Sequence, residues 1–353
     1  MSRIKAQVIP WIERGLVPDA LVRWGIRDLL RQRLAELPTA DCEAAARHKM
    51  AFVARMDASA IAEVPDQANA QHYELPPEFF EAMLGPRRKY SCCHWPDGVA
   101  DLAVAEEASL KLTVERAGIV NGMRVLDLGC GWGSFSLWVA SHFPDCQVTA
   151  VSNSHGQRGF IESEMARRHL GNLTVITADM NHFAAPTRYD RIVSLEMFEH
   201  IRNHRRLYAR VADWLEPDGR FFMHIFCHRA HPYLFEEQGP TDWMGRYFFS
   251  GGIMPSADLP LLFPDHLRIR DFWCLNGRHY ERTLNAWLAQ MDARRAQIWP
   301  ILERTYGAAD AALWWVRWRL FLMACAELFG FRRGQEWYVG HYLLGRADQA
   351  DIG

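Results

Sequence analysis

The hydrophobic pattern changes period along the chain. Up to residue 70 apolar positions recur at helical spacing, and Leu21-Val22-Arg23-Trp24-Gly25-Ile26-Arg27-Asp28-Leu29-Leu30 sets them against an arginine face that Arg31 and Arg33 continue. Such a helix either packs on its own domain or touches anionic lipid head groups. A loop is expected at Asp66 to Asn69, then the segment His72 to Pro76, then a short helix from Glu78 to Leu84 stopped by Gly85-Pro86. A helix over 103–118 leads into alternating runs: strand 124–129, helix 133–143, strand 147–152, helix 155–169, strands 173–179 and 191–196, helix 203–215 and strand 219–227. This alternation predicts an α/β fold with a doubly wound, mostly parallel sheet. Residues 228–265 break it with an irregular stretch rich in aromatics and glycines, the expected lid or substrate-binding insertion. A strand near 267–274, helices around 281–304 and 309–330, and a last strand at 337–345 complete the pattern. The expected organisation is a helical N-terminal extension, 1–115, covering the site, a core at 116–346 that carries the insertion and the helices of 281–330, and a tail at 347–353.

Composition removes several classes of function. A net charge of -2 and the lack of any Lys/Arg run argue against a nucleic-acid partner. The basic residues are almost all arginine, with lysine only at 5, 49, 89 and 111. Eight cysteines, at 42, 92, 93, 130, 146, 227, 274 and 325, form no C-x-x-C pair, so reduced thiols in a cytoplasmic protein are expected, and no metal site. The first 30 residues carry charges throughout, and no apolar run reaches spanning length, so neither a signal peptide nor stable membrane insertion is expected.

Parallel sheets bind ligands at the carboxyl ends of their strands, here Gly129, Ser152, Asp179, Glu196 and the region from His224 to Cys227. The first of these ends is Val125-Leu126-Asp127-Leu128-Gly129-Cys130-Gly131-Trp132-Gly133, an apolar run, an acid and alternate glycines before a helix. Glycines let backbone approach a ligand closely, and the helix N-terminus then presents free N–H groups. The spacing is G-x-G-x-G rather than G-x-G-x-x-G, and the next strand ends in Ser152-Asn153-Ser154 without the acid that a nicotinamide dinucleotide requires. S-adenosylmethionine (SAM) is therefore the expected cofactor. A tight connection would also use glycines, but the acid before them and the βα units after them favour a cofactor turn.

A second focus is Leu195-Glu196-Met197-Phe198-Glu199-His200, where an apolar strand emerges into two carboxylates and an imidazole. On a helix, Glu196, Glu199 and His200 would share one face toward the crevice. Acids at a helix start also offset its dipole, but that does not explain the histidine. His224 and His228 follow at the end of the next predicted strand, where the absence of H-E-x-x-H or C-x-x-C spacing favours hydrogen bonding over metal. Tyr90-Ser91-Cys92-Cys93-His94-Trp95-Pro96 is a dense polar-aromatic loop, either packed or part of a site.

These residues, with Asn153 and Gln157, His279-Tyr280-Glu281-Arg282-Thr283-Leu284 and Trp287, make the chain similar to the cyclopropane-fatty-acid synthase family of SAM-dependent methyltransferases. Tyr90 to Cys93, Glu196 before Met197-Phe198-Glu199-His200, Phe226-Cys227-His228, Arg246 to Phe249 with Gly251-Gly252, Met254 to Ala257 and Ala326 to Gly330 resemble its coclaurine N-methyltransferase-like branch. The resemblance runs from about residue 70 to 346. It implies a class I methyltransferase fold in which Tyr90, Ser91, Gly129, Gly131, Asn153, Gln157, Asp179 and Met180 bind SAM, with Asp127 and Ser152 beside them at the strand ends.

Lipid synthases of this family hold bicarbonate as base through residues that correspond to Cys92, Glu199, His224 and Tyr280. Where those enzymes carry a small residue this chain has Glu196, and Phe226 replaces an isoleucine. A glutamate there would repel bicarbonate and suits a cationic substrate. The expected reaction is methylation of the nitrogen of a small cyclic or aromatic-bearing amine, with S-adenosylhomocysteine as product. Glu199 and His200 would accept or relay the amine proton, Glu196 would hold the ammonium and His224 would support them, while Cys92, Phe226, Trp243, Tyr280 and Trp337 enclose the carbon skeleton. The alternative is a cyclopropane synthase or C-methyltransferase acting on unsaturated acyl chains, with peripheral lipid contact through the N-terminal helix. A SAM-binding scaffold without catalysis is disfavoured by Glu199, His200 and His224, and a homodimer is implied only by resemblance.

Overall fold

Runs that are apolar on both faces become the centre of a sheet, and their order decides where a ligand fits. The computed structural model describes residues 9–348 apart from 39, 64–74 and 236–242. The loop expected at Asp66 to Asn69 and the segment His72-Tyr73-Glu74 lie outside the described residues. Strands β1 (Arg124–Leu128), β2 (Gln147–Ser152), β3 (Leu173–Thr177), β4 (Tyr189–Leu195) and β5 (Leu215–His228) are parallel. A small antiparallel pair, β6 (Tyr233–Leu234) and β7 (Ile253–Met254), lies in the insertion. The sheet is completed by β8 (Leu267–Leu275) and β9 (Trp337–Arg346), in the order β3-β2-β1-β4-β5-β9-β8.

The last strand departs from the parallel pattern. It enters between β5 and β8 and runs antiparallel to both, which sets His341 directly opposite His224. Within the central strands the period of two sorts side chains between faces. Ile192, Phe221 and Met223 join one apolar cluster with Phe198 and Tyr208, while Val193 and Phe222 join another with Phe135 and Val139.

The helices are α1 (Asp19–Glu36), α2 (Cys42–Ala58), α3 (Pro77–Met83), α4 (Leu102–Ala117), α5 (Ser134–His142), α6 (His155–Arg168) and α7 (His204–Trp214). The short α8 (Trp243–Tyr247) precedes α9 (Gly277–Ala293), α10 (Arg295–Tyr306) and α11 (Ala311–Gly330). The helix expected over 281–304 is therefore two, interrupted at Arg294 (φ -105, ψ 24). A helical layer with Phe80, Phe248, Trp287 and Trp318 at its core closes over the carboxyl ends of the strands.

The arginine face of α1 turns toward this layer. Arg23 and Arg27 both pair with Glu327 of α11, at 2.9 and 2.7 Å, while Leu21 and Trp24 face outward. A carboxylate between two guanidiniums orients the helix, so these two arginines are not free for lipid head groups. Among the described residues no helix is long and apolar enough to cross a membrane.

Candidate active site

The site begins where strand order reverses, between β1 and β4, because the chain diverges there and leaves a crevice at the strand ends. Gly129 and Gly133 have φ of 79° and 74°, and the Cβ of any other residue would stand 2.7 Å from Met197 and Ile161 respectively. The N–H groups of Gly129 and Cys130 donate to the Val151 carbonyl at 3.0 and 2.9 Å, which pins the turn to β2. Tyr90, Ser91, Asp127, Gly129, Gly131, Ser152, Asn153, Gln157, Asp179 and Met180 all line one cavity here.

The cavity's polar groups fit the predicted cofactor. Ser136 donates to Asp127 Oδ2 at 2.6 Å, and Ser152 to Gln157 Oε1 at 2.6 Å. The opposite atoms, Asp127 Oδ1 and Gln157 Nε2, are buried without a partner, as are Trp132 Nε1 and Ser134 Oγ on the same wall. Buried polar atoms ordinarily have partners, so acceptor and donors left open together match a ligand carrying both signs of charge, such as the amino-acid end of SAM. Burial pushes the Asp127 carboxyl up to about 7.

Glu196 is the centre of the second part. It leaves β4 at φ 53°, a left-handed conformation uncommon for a residue with a Cβ. Only a 3-10 turn, Phe198–His200, follows, so the single helical face expected for Glu196, Glu199 and His200 does not form. The three are arranged by different contacts. Glu196 Oε1 accepts from the Cys92 N–H at 2.8 Å and His224 Nε2 at 3.0 Å, and Oε2 accepts from the Tyr280 hydroxyl at 2.5 Å. Glu199 lies behind it, fully buried, with Oε1 accepting from the Phe226 N–H at 2.7 Å and Oε2 unpartnered. Burial first, and the Glu196 charge second, raise the Glu199 carboxyl well above the usual carboxylate range. His200 lines the cavity, and burial brings its imidazole down to about 4.

Two aromatics named from the sequence pack elsewhere. Trp243 donates to Glu13 at 3.1 Å and lies on Phe248, while Trp337 is fully buried and donates to the Tyr233 hydroxyl at 3.0 Å. Neither is on the cavity wall, and Cys92, Phe226 and Tyr280 also lie outside its lining, in the layer behind Glu196. Phe226 stands between Phe249 and Phe329, and Tyr280 stacks on Phe329 at 4.3 Å.

Lys89 has no counterpart in the sequence reading. It is buried on the cavity wall, and its Nζ donates to Ser91 Oγ and to the Cys92 carbonyl, each at 2.6 Å. Its charge opposes the rise that burial causes in Glu196. A lone lysine directly before Tyr90, in a chain that otherwise uses arginine, was the available signal.

A mostly parallel sheet with a glycine turn at its switch point and a cavity above it matches the architecture of SAM-dependent methyltransferases, and the relatives that follow show the chain to be such an enzyme. Residues 62–337 match the model of the mycolic acid cyclopropane synthetase family, and the chain belongs to that family. It is 35% identical over 349 residues to (S)-coclaurine N-methyltransferase of Thalictrum flavum subsp. glaucum, covering 97% of this chain and 96% of that one. Cyclopropane-fatty-acyl-phospholipid synthase of Escherichia coli K12 is 31% identical over 271 residues, 76% of this chain and 66% of the other. A crystal structure of coclaurine N-methyltransferase bound to N-methylheliamine and SAH superimposes with a TM-score of 0.93 at 35% identity, covering 96% of this chain and 99% of that one.

Proposed function

We propose that this enzyme methylates the nitrogen of a small cyclic or aromatic-bearing amine. One observation carries the reading: the Glu196 carboxylate takes the hydrogen bonds of Cys92, His224 and Tyr280. By the family resemblance, residues at these three positions help hold bicarbonate in lipid synthases. A carboxylate fixed among them fills the anion position from within the chain and directs negative charge at a cationic substrate. The N-methyltransferase relatives support the same reading.

SAM, held by the residues around the glycine turn, supplies a methyl group activated by its sulfonium. The chain must bring the amine into line and free its lone pair. Glu196 holds the ammonium. His200, neutral above about pH 4, offers a nitrogen lone pair, and Glu199 has the raised proton affinity of a terminal acceptor. Phe226 and Tyr280 pack on Phe329 just behind Glu196, from where they would shape the space for the carbon skeleton. The described residues up to 115 act as a cover, contributing Ala62, Arg88, Lys89, Tyr90 and Ser91 to the cavity.

The test is mass spectrometry of purified protein with SAM, offered cyclic and phenethyl-type amines in one set and unsaturated phospholipid vesicles, with and without bicarbonate, in the other. A methyl added to an amine is the expected result. A methyl or methylene added to an acyl chain would overturn the assignment.

A further inference from the structure

The hydrogen bonds behind Glu196 continue through β5 and β9 to the end of α4. His224 Nε2 meets Glu196 Oε1 at 3.0 Å, His341 Nε2 meets His224 Nδ1 at 2.8 Å, and Arg116 Nη1 meets His341 Nδ1 at 2.7 Å. The antiparallel pairing of β5 with β9 puts the two histidines side by side, and both are buried. Arg116, from the last turn of α4, is part-exposed and lies 4.9 Å over the Trp273 ring of β8.

The direction of every bond in this chain follows from its outer end. A guanidinium can only donate, so His341 Nδ1 is a lone pair and its proton sits on Nε2. That N–H faces His224 Nδ1, which must accept, so the His224 proton also sits on Nε2 and is donated to Glu196. Both imidazoles are held neutral, with burial as the leading cause. The chain therefore delivers a donor, never an acceptor, to the carboxylate.

We propose that Arg116 is a positioning residue for methyl transfer, acting through His341 and His224 to hold Glu196 as an acceptor-only carboxylate toward the amine. The role rests on the N-methyltransferase reading, while the tautomers do not. The other titratable groups around Glu196 are Lys89, Cys92 and Cys93 from the loop before α4, Tyr280 from α9, Cys325 from α11, and Glu199 and His200 from its own turn. Glu115, Cys274 and His94 lie near the Arg116 end. None of these donates to the His341 or His224 Nδ1 atoms; the Glu196 carboxylate, which only accepts, sets the same polarity from the inner end, and Arg116 is the group that closes the outer end on His341 Nδ1.

The experiment compares wild type with Arg116→Met, His341→Phe and His341→Gln. Glutamine can accept from Arg116 and donate to His224, so it preserves the polarity that phenylalanine destroys. Nitrogen NMR of histidine-labelled protein, without substrate, is expected to show both rings as Nε2–H tautomers in wild type and a changed His341 signal in Arg116→Met. In the amine assay, Arg116→Met and His341→Phe are each expected to lose about tenfold in kcat/KM, the scale of one hydrogen bond to a charged group. Their acid limb should move to higher pH with SAM affinity retained, and His341→Gln should recover most of the loss. If Arg116→Met does not fold, the two His341 variants decide the matter. Nδ1–H tautomers, or a wild-type pH profile in both disrupted variants, would overturn the proposal. Failure of wild type to methylate any amine would instead overturn the functional reading, and with it this role for Arg116, while leaving the tautomer result intact.

Discussion

Asp127 to Asn isolates the cost of building the cofactor cavity. The Asp127 carboxyl is buried, accepts from Ser136, and is lifted from an ordinary value near 3.8 to about 7. Each factor of ten in proton affinity is worth about 1.4 kcal/mol, so about three such factors amount to about 4 kcal/mol. The folded-state value is raised, so the folded protein binds more protons between about pH 4 and 7, and cofactor-free wild type should lose stability as pH rises through that window. Asparagine is uncharged and its oxygen can still accept from Ser136. Denaturant unfolding of the cofactor-free protein should therefore show the variant about equal to wild type at pH 4 and more stable by about 2–4 kcal/mol at pH 8, after some relaxation. Calorimetric titration with S-adenosylhomocysteine should show the opposite ranking, with weaker binding to the variant at pH 8. A variant less stable than wild type at pH 8, or a difference independent of pH, would refute the reasoning.

Other perturbations test neighbouring parts of the site. Glu196→Gln should lower kcat/KM for the amine by about 10- to 150-fold, from about 1.5–3 kcal/mol of charge-assisted contact, and Glu199→Gln should lower it too, while titration still shows cofactor binding. Gly129→Ala should weaken S-adenosylhomocysteine binding and lower the melting temperature, because its Cβ would stand 2.7 Å from Met197 at a φ of 79°. Lys89→Met removes a cation that favours ionised Glu196, so the acid limb of the kcat/KM profile should move to higher pH. Ser91 also loses its donor, and cofactor affinity measured by titration should fall.

Local pattern was enough for the elements whose residues face one environment throughout. β1 and the inner halves of β4 and β5 are apolar runs buried on both faces, and the glycine turn carries its own conformational requirement in Gly129 and Gly133. The ten residues expected on the cofactor side line one cavity because nine sit at or just after strand ends or in the loop before α4, and Gln157 lies in the first turn of α6, all at the one edge to which the parallel sheet brings its strand ends. What tertiary structure alone decided are relations between distant segments. Glu196 departs from the expected helical face because Cys92, His224 and Tyr280, contributed by a loop, a strand and a helix, hold its carboxylate at φ 53°. Trp243 and Trp337 look like substrate aromatics in sequence, but packing against Phe248 and the base of the helical layer takes them away from the cavity. The pairing of His224 with His341 depends on a last strand that runs antiparallel, and its contact with Arg116 spans 225 residues. Hydrophobic period reports which face of an element is buried, not which element will lie opposite, so strand direction and the hydrogen bonds that follow from it exist only once the chain has closed on itself.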